Sequence, residues 1–192
     1  MRAFLVLGPP SSGTKLFTEI LVNAGCGGDS GNEQRWDTRL PIFGEDDPVV
    51  WRRSVPHGEQ DPDIVGMVNT LRDVGCQVYA YITTRDWTSI LNSRVLKAQV
   101  VNYEVSSQRL QQAYLHIFSA LAETKVPYAM VSYEAVVEYS GKYIKRMLKI
   151  FGLDMGELPS IYSGNEKYYQ GSYVAEKLVE RGVGTPIWLG EL

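Results

Sequence analysis

Gly8-Pro9-Pro10-Ser11-Ser12-Gly13-Thr14-Lys15 sits between an apolar run, Ala3 to Leu7, and a helical pattern that starts at Thr14. Such a turn presents unpaired backbone N–H groups and the positive end of a helix dipole. That is the chemistry of an anion site, most often for phosphate. The nucleoside-triphosphatase loop needs Gly-x4-Gly-Lys-Ser/Thr. Here lysine comes one place late, as Lys15. One residue turns a helix by about 100°, so Lys15 points away from the usual lysine position. A simple strand-to-helix turn with a hydroxyl cap is the plainer reading of the same residues.

Two further stretches carry chemistry. Thr84-Arg85-Asp86-Trp87 follows a second strand-like run, and Ser93 lies eight residues after Arg85. Arginine at the carboxyl end of a strand suits a bidentate phosphate contact, and a serine two helical turns on adds a hydroxyl. An Arg85–Asp86 surface pair with an ordinary helical serine is the alternative. Val131-Ser132-Tyr133-Glu134 ends a third strand. A tyrosine there can lay its ring against a base or simply pack.

The elements that must position these residues alternate. Ala3–Leu7, Gln77–Thr83 and Pro127–Ser132 read as strands, with a short strand over Val49-Val50-Trp51. Helices are expected over Thr14–Asn23, from Asp61-Pro62 to Val74, over Trp87–Gln99, Ser106–Glu123, Lys142–Phe151 and Tyr173–Arg181. Asp61 is the expected N-cap, with Pro62 at the first helical position. In the helix over Thr14–Asn23 the inward residues are expected to be Leu16 and Ile20, joined by Phe17 and Leu21. This alternation predicts an α/β fold: a three-layer, P-loop NTPase-like domain with a central parallel sheet flanked by helices. Ligands in such sheets sit at the carboxyl ends of the strands, which selects the loops after Leu7, Thr83 and Ser132.

Length and composition set the bounds. At 192 residues the chain is expected to form one domain, with an irregular acidic insertion at about 29–60 and an irregular tail at about 154–192. Hydrophobic residues make up 44% and charged residues 21%, which excludes a disordered or collagen-like chain. The net charge of −3 argues against a basic nucleic-acid binder. No apolar run near the start is long enough for a signal peptide or a membrane span, so a cytoplasmic location is expected. Cys26 and Cys76 form no CxxC and offer neither a disulfide framework nor a zinc site. No metal is expected.

The three motifs, in this order, resemble the P-loop sulfotransferase family, which uses 3′-phosphoadenosine 5′-phosphosulfate (PAPS). The resemblance covers residues 1–24 and 76–153 and includes Ile150-Phe151-Gly152-Leu153 after the third motif. It implies that Ser11, Ser12, Gly13, Thr14, Lys15 and Leu16 hold the 5′-phosphosulfate. It likewise implies that Arg85 and Ser93 grip the 3′-phosphate, and that Tyr133 contacts adenine. Where the family carries lysine or arginine two places before the loop glycine, this chain has Ser11. Lys15, Arg52 or Arg53 would then supply the charge at the leaving oxygen. The family's proline after Arg-Asp is Trp87 here. Its C-terminal phosphate loop finds only weak counterparts, Lys167 with Gly171 or Arg181 with Gly182.

The position of His57, in Ser54-Val55-Pro56-His57-Gly58, resembles the place where cytosolic members carry their catalytic histidine, and the ordinary pKa of a histidine suits a general base. Glu45, Asp46 and Asp47 are alternative bases or a solvated acidic loop. His116 is expected to be structural. Lys142, Lys145, Arg146 and Lys149 are expected to form a solvated helix face. The implied partners are the nucleotide donor and a small-molecule or glycan acceptor, with no nucleic acid and no membrane. Trp36, Trp51, Tyr162, Tyr168 and Tyr169 are candidates to line an acceptor pocket. Two rival readings stay open: a P-loop small-molecule or nucleotide kinase needing Mg²⁺, and a non-catalytic nucleotide-binding protein.

Overall fold

A computed structural model describes residues 1–28, 48–57, 60–96, 103–154, 158–159, 161–169, 177 and 180. The stretch at 29–47, most of the expected acidic insertion, and most of the expected helix over 173–181 lie outside these residues.

Apolar runs without alternation belong in strands buried on both faces, and they form the centre of the sheet. Strands β1 (Arg2–Gly8), β2 (Gly27–Gly28), β3 (Val49–Ser54), β4 (Gln77–Thr84) and β5 (Tyr128–Ser132) make one sheet in the order β2-β3-β1-β4-β5. Every pairing in it is parallel. Between them run α1 (Thr14–Asn23), α2 (Ile64–Asp73), α3 (Trp87–Leu96) and α4 (Tyr103–Thr124); α5 (Tyr133–Lys149) and a short α6 (Glu166–Tyr169) follow the last strand.

Side chains alternate along a strand, and β1 divides its residues between two cores. Ala3, Leu5 and Leu7 pack with Ile64, Val68 and Leu71 of α2 and Ala113, Ile117 and Leu121 of α4. Phe4 and Val6 pack with Phe17, Ile20 and Leu21 of α1 and Ile144, Met147 and Leu148 of α5. The result is the expected α/β architecture, a parallel sheet between two helical layers. The chain steps from β1 toward β3 by way of α1, then back across β1 to β4 by way of α2. Right-handed crossovers in opposite directions must lie on opposite faces, so a crevice opens at the carboxyl ends of β1, β3 and β4.

Several boundaries differ from the sequence expectation, each for a visible reason. Helix α2 starts two residues later, because Asp63 Oδ1 and not Asp61 accepts the cap bond from Gly66 N at 2.8 Å. Pro62 stays outside the helix, and its carbonyl accepts from His116 Nε2 at 2.8 Å. That contact gives His116 the structural place expected of it. Strand β3 runs on past Trp51 to Ser54. Helix α5 begins at Tyr133, with Ser132 accepting from Ala135 N as its cap, and it breaks at Ser140 (φ 40°, ψ −117°) before the expected amphipathic part. Along that part, Lys142, Lys145, Arg146 and Lys149 are exposed. No described helix is long and apolar enough to cross a membrane.

Candidate functional site

Helix α1 begins directly after the glycine-rich loop. Gly13 is its N-cap residue, in the left-handed region at φ 100°, and no side chain caps it. The first intrahelical bond runs from Phe17 N to Gly13 O. The amides of Thr14, Lys15 and Leu16 therefore lie in the turn that an α-helix cannot satisfy internally. No acidic residue stands in that first turn. The dipole and the amides together favour an anion there.

A cleft of ≈ 550 Å³ opens at this point, lined by Pro10, Ser11, Gly13, Thr14, Lys15, Leu16, Glu19, Arg52, Ser54 and Arg85. Three cations, Lys15, Arg52 and Arg85, face one carboxylate, Glu19. Strand alternation decides which arginine of β3 contributes. Arg52 pairs in register with Val6, on the α1 side of the sheet, and lines the cleft. Arg53 falls on the other face and stacks over Trp51, 5.0 Å from its ring centre.

The loop is held from behind. Thr83 Oγ1 donates to Leu7 O at 3.3 Å, which leaves Ser12 Oγ to donate to Thr83 Oγ1 at 2.7 Å. Ser12 is fully buried, so its hydroxyl fastens the loop and does not face the cleft. A Cβ on Gly8 would run into both hydroxyls. Ser11 adopts a positive φ of 72°, a conformation uncommon for a residue with a side chain.

The fold brings Ser11, Gly13, Thr14, Lys15, Leu16 and Arg85 to one cleft. Arg85 and Ser93 are already engaged. Arg85 Nη1 donates to Ser11 O at 3.0 Å, Nε to Asn165 Oδ1 at 2.6 Å and Nη2 to Gly164 O at 2.9 Å. Its guanidinium lies 4.3 Å from the Tyr133 ring centre and 5.4 Å from that of Tyr168. Ser93 Oγ donates to Ser11 Oγ at 3.0 Å and accepts from Tyr168 Oη at 3.2 Å. Tyr133 sits against Gly13 on a small neighbouring cavity, and its hydroxyl accepts from Gly164 N at 2.8 Å.

His57 is three residues beyond Ser54 and does not line the cleft. It forms an isolated antiparallel bridge with Gln60, their backbones bonded at 2.8 and 3.3 Å. Partial burial, then the positive charges of Arg53 and Arg52, hold its pKa below the ordinary 6.5. Both causes disfavour the charged imidazolium.

Sequence reasoning missed Asn165 and Glu134 around Arg85, and Tyr168, a candidate for an acceptor pocket, packs instead against Arg85 and bonds Ser93. Glu134 Oε1 accepts from Asp86 N at 2.8 Å and from Asn165 Nδ2 at 3.0 Å. Glu134 was within a recognised motif; Asn165 and Tyr168 lie in a tail with no periodic signal. Among the acceptor-pocket candidates, Trp51 is buried in the core and Tyr162 is exposed. Trp36, Glu45, Asp46, Asp47, Gly171, Arg181 and Gly182 lie outside the described residues, and nothing is described of the side chains of Lys167 and Tyr169. No protein-family model, curated protein or solved structure matches the chain.

Proposed function

We propose that this chain binds PAPS and transfers its sulfuryl group to a hydroxyl or amine acceptor. The observation that carries the reading is the uncapped start of α1, opening into a cleft with Lys15, Arg52 and Arg85. The amides of Thr14, Lys15 and Leu16 would receive the 5′-phosphosulfate. Lys15 and Arg52 would stabilise the charge that develops on the leaving phosphate oxygen, the task of the basic residue absent at Ser11. Arg85 and Ser93 would address the 3′-phosphate, and Tyr133 would border the nucleotide.

In the transfer, the acceptor oxygen or nitrogen attacks sulfur in line. The bond between sulfur and the bridging oxygen breaks, and its electron pair stays with the nucleotide phosphate. The acceptor proton passes to a base. We assign this role to His57, three residues beyond β3 and outside the cleft lining, which requires the acceptor to reach it from the β3 side. The products are a sulfated acceptor and 3′-phosphoadenosine 5′-phosphate. Positioning and preorganised charge supply the rate.

One observation favours a second reading, nucleotide binding without sulfuryl transfer: the donors of Arg85 and the hydroxyl of Ser93 are bonded within the chain. Calorimetry with 3′-phosphoadenosine 5′-phosphate, and with ATP and Mg²⁺, tests the proposal. Binding of the 3′-phosphorylated ligand, weakened at least tenfold by Arg52→Ala, is expected. Tight ATP binding with none of the 3′-phosphorylated ligand would overturn it.

A further inference from the structure

Arg85 presents the fork of a guanidinium, and the chain itself fills it. The Nε and Nη2 hydrogens point along one edge, and two oxygens meet them: Asn165 Oδ1 at 2.6 Å and Gly164 O at 2.9 Å. Two oxygens on that edge is the arrangement a phosphate adopts on arginine. Both oxygens are neutral, one from a side-chain amide and one from a peptide. The segment bearing them is held at other points. Gly164 N bonds Tyr133 Oη, Asn165 Nδ2 bonds Glu134 Oε1, and Tyr168 O accepts from Asn92 Nδ2 at 2.9 Å. Tyr168 Oη also reaches Ser93 Oγ, the other group assigned to the 3′-phosphate. Asn165 is only 6% exposed.

We infer that residues 164–168 form a strap that imitates the 3′-phosphate, with Asn165 setting nucleotide affinity by competing for Arg85. The inference rests on the sulfotransferase reading. A phosphate brings a full negative charge to the guanidinium and offers both oxygens of the fork from one group, so the ligand displaces the strap. A nucleotide without a 3′-phosphate has nothing to exchange for Asn165 and leaves the strap in place. The strap therefore lowers affinity for the 3′-phosphorylated nucleotide and narrows its advantage over nucleotides without the 3′-phosphate, since part of the binding energy goes to displacing it.

The test uses the full chain and two probes, 3′-phosphoadenosine 5′-phosphate and adenosine 5′-phosphosulfate, which lacks the 3′-phosphate. Asn165→Ala is expected to bind the first about tenfold more tightly than the unaltered chain and the second unchanged. Tyr168→Phe, which keeps the ring and releases Ser93, is expected to move affinity the same way by a smaller factor. Hydrogen exchange gives a reading that needs no variant: the amides at 164–168 are expected to exchange faster when the 3′-phosphorylated probe is added. Equal affinity in all three chains, with 164–168 exchange unchanged on binding, overturns the strap and leaves the sulfotransferase reading standing. Failure of every form to bind the 3′-phosphorylated probe, while inorganic pyrophosphate still binds, overturns both.

Discussion

Ser93 Oγ stands 3.0 Å from Ser11 Oγ and joins helix α3 to the loop after β1. The same hydroxyl accepts from Tyr168, so one buried atom links three segments. Ser93→Ala removes one bond from each of the Ser11 and Tyr168 hydroxyls. Stability is expected to fall by about 1–3 kcal/mol, read by urea unfolding, and anion affinity to fall with it. A variant as stable as the parent would show that the three segments hold one another without Ser93.

Gly13 has two reasons to be glycine. Its φ of 100° disfavours any side chain, and an added Cβ would stand 3.0 Å from Tyr133 Cδ2. Gly13→Ala is expected to cost about 1–3 kcal/mol and to push Tyr133 away from Arg85. Thermal unfolding gives the first effect and pyrophosphate titration the second. Unchanged values in both would mean that the loop adapts freely.

His57 has a defined sign for its pH dependence. Burial and the neighbouring Arg53 and Arg52 lower its pKa in the folded chain below 6.5, so the unfolded chain takes up a proton first as pH falls. Stability from this group is fully present above pH 6.5 and is lost as pH falls through the lower, folded value. His57→Gln is expected to flatten the decline in melting temperature on the acid side of 6.5. Parallel curves for parent and variant would remove His57 as the cause.

Arg94 is 2% exposed, and its Nε and Nη1 have no hydrogen-bond partner among the described residues. Burial and then Arg109 lower its pKa. An unpaired buried cation is costly, and an apolar side chain of similar length avoids that cost. Arg94→Met is expected to stabilise the chain by about 1–3 kcal/mol, measured by chemical denaturation. Destabilisation would show that Arg94 makes a compensating contact in the native chain.

The parts legible in the sequence are those written in local chemistry. The uninterrupted apolar residues of β1 and β4 and the Gly8-to-Gly13 turn announce a buried parallel strand feeding a helix, and α1 begins and ends at the residues expected. Starts of helices were harder. Asp61 and Asp63 both satisfy the cap preference, and only the bond to Gly66 N distinguishes them. Ser132 also has the right chemistry for a cap, yet the apolar pattern from Lys142 onward drew the boundary there, because the break at Ser140 disrupts the helical period. Of the candidate site, the glycine-rich loop and Arg85 could be read from spacing. The neighbours of Arg85 could not: Asn165 is 80 residues away in sequence, and no periodicity connects a short polar tail to a distant strand end. Nor does any local pattern mark Arg94 as buried.

The uncapped start of α1 ties folding to the composition of the solution. The donors of its first turn are satisfied in the folded chain by water or by an anion, and they converge only when β1 and α1 are in place. An anion that binds there recognises the native state alone, so it acts on the folding equilibrium by mass action. At a hundred times its dissociation constant it would add about 2.7 kcal/mol to the unfolding free energy, on the order of a sizeable core side chain's contribution. The melting temperature of this protein would accordingly report how much phosphate, sulfate or nucleotide surrounds it, as well as how well its core is packed.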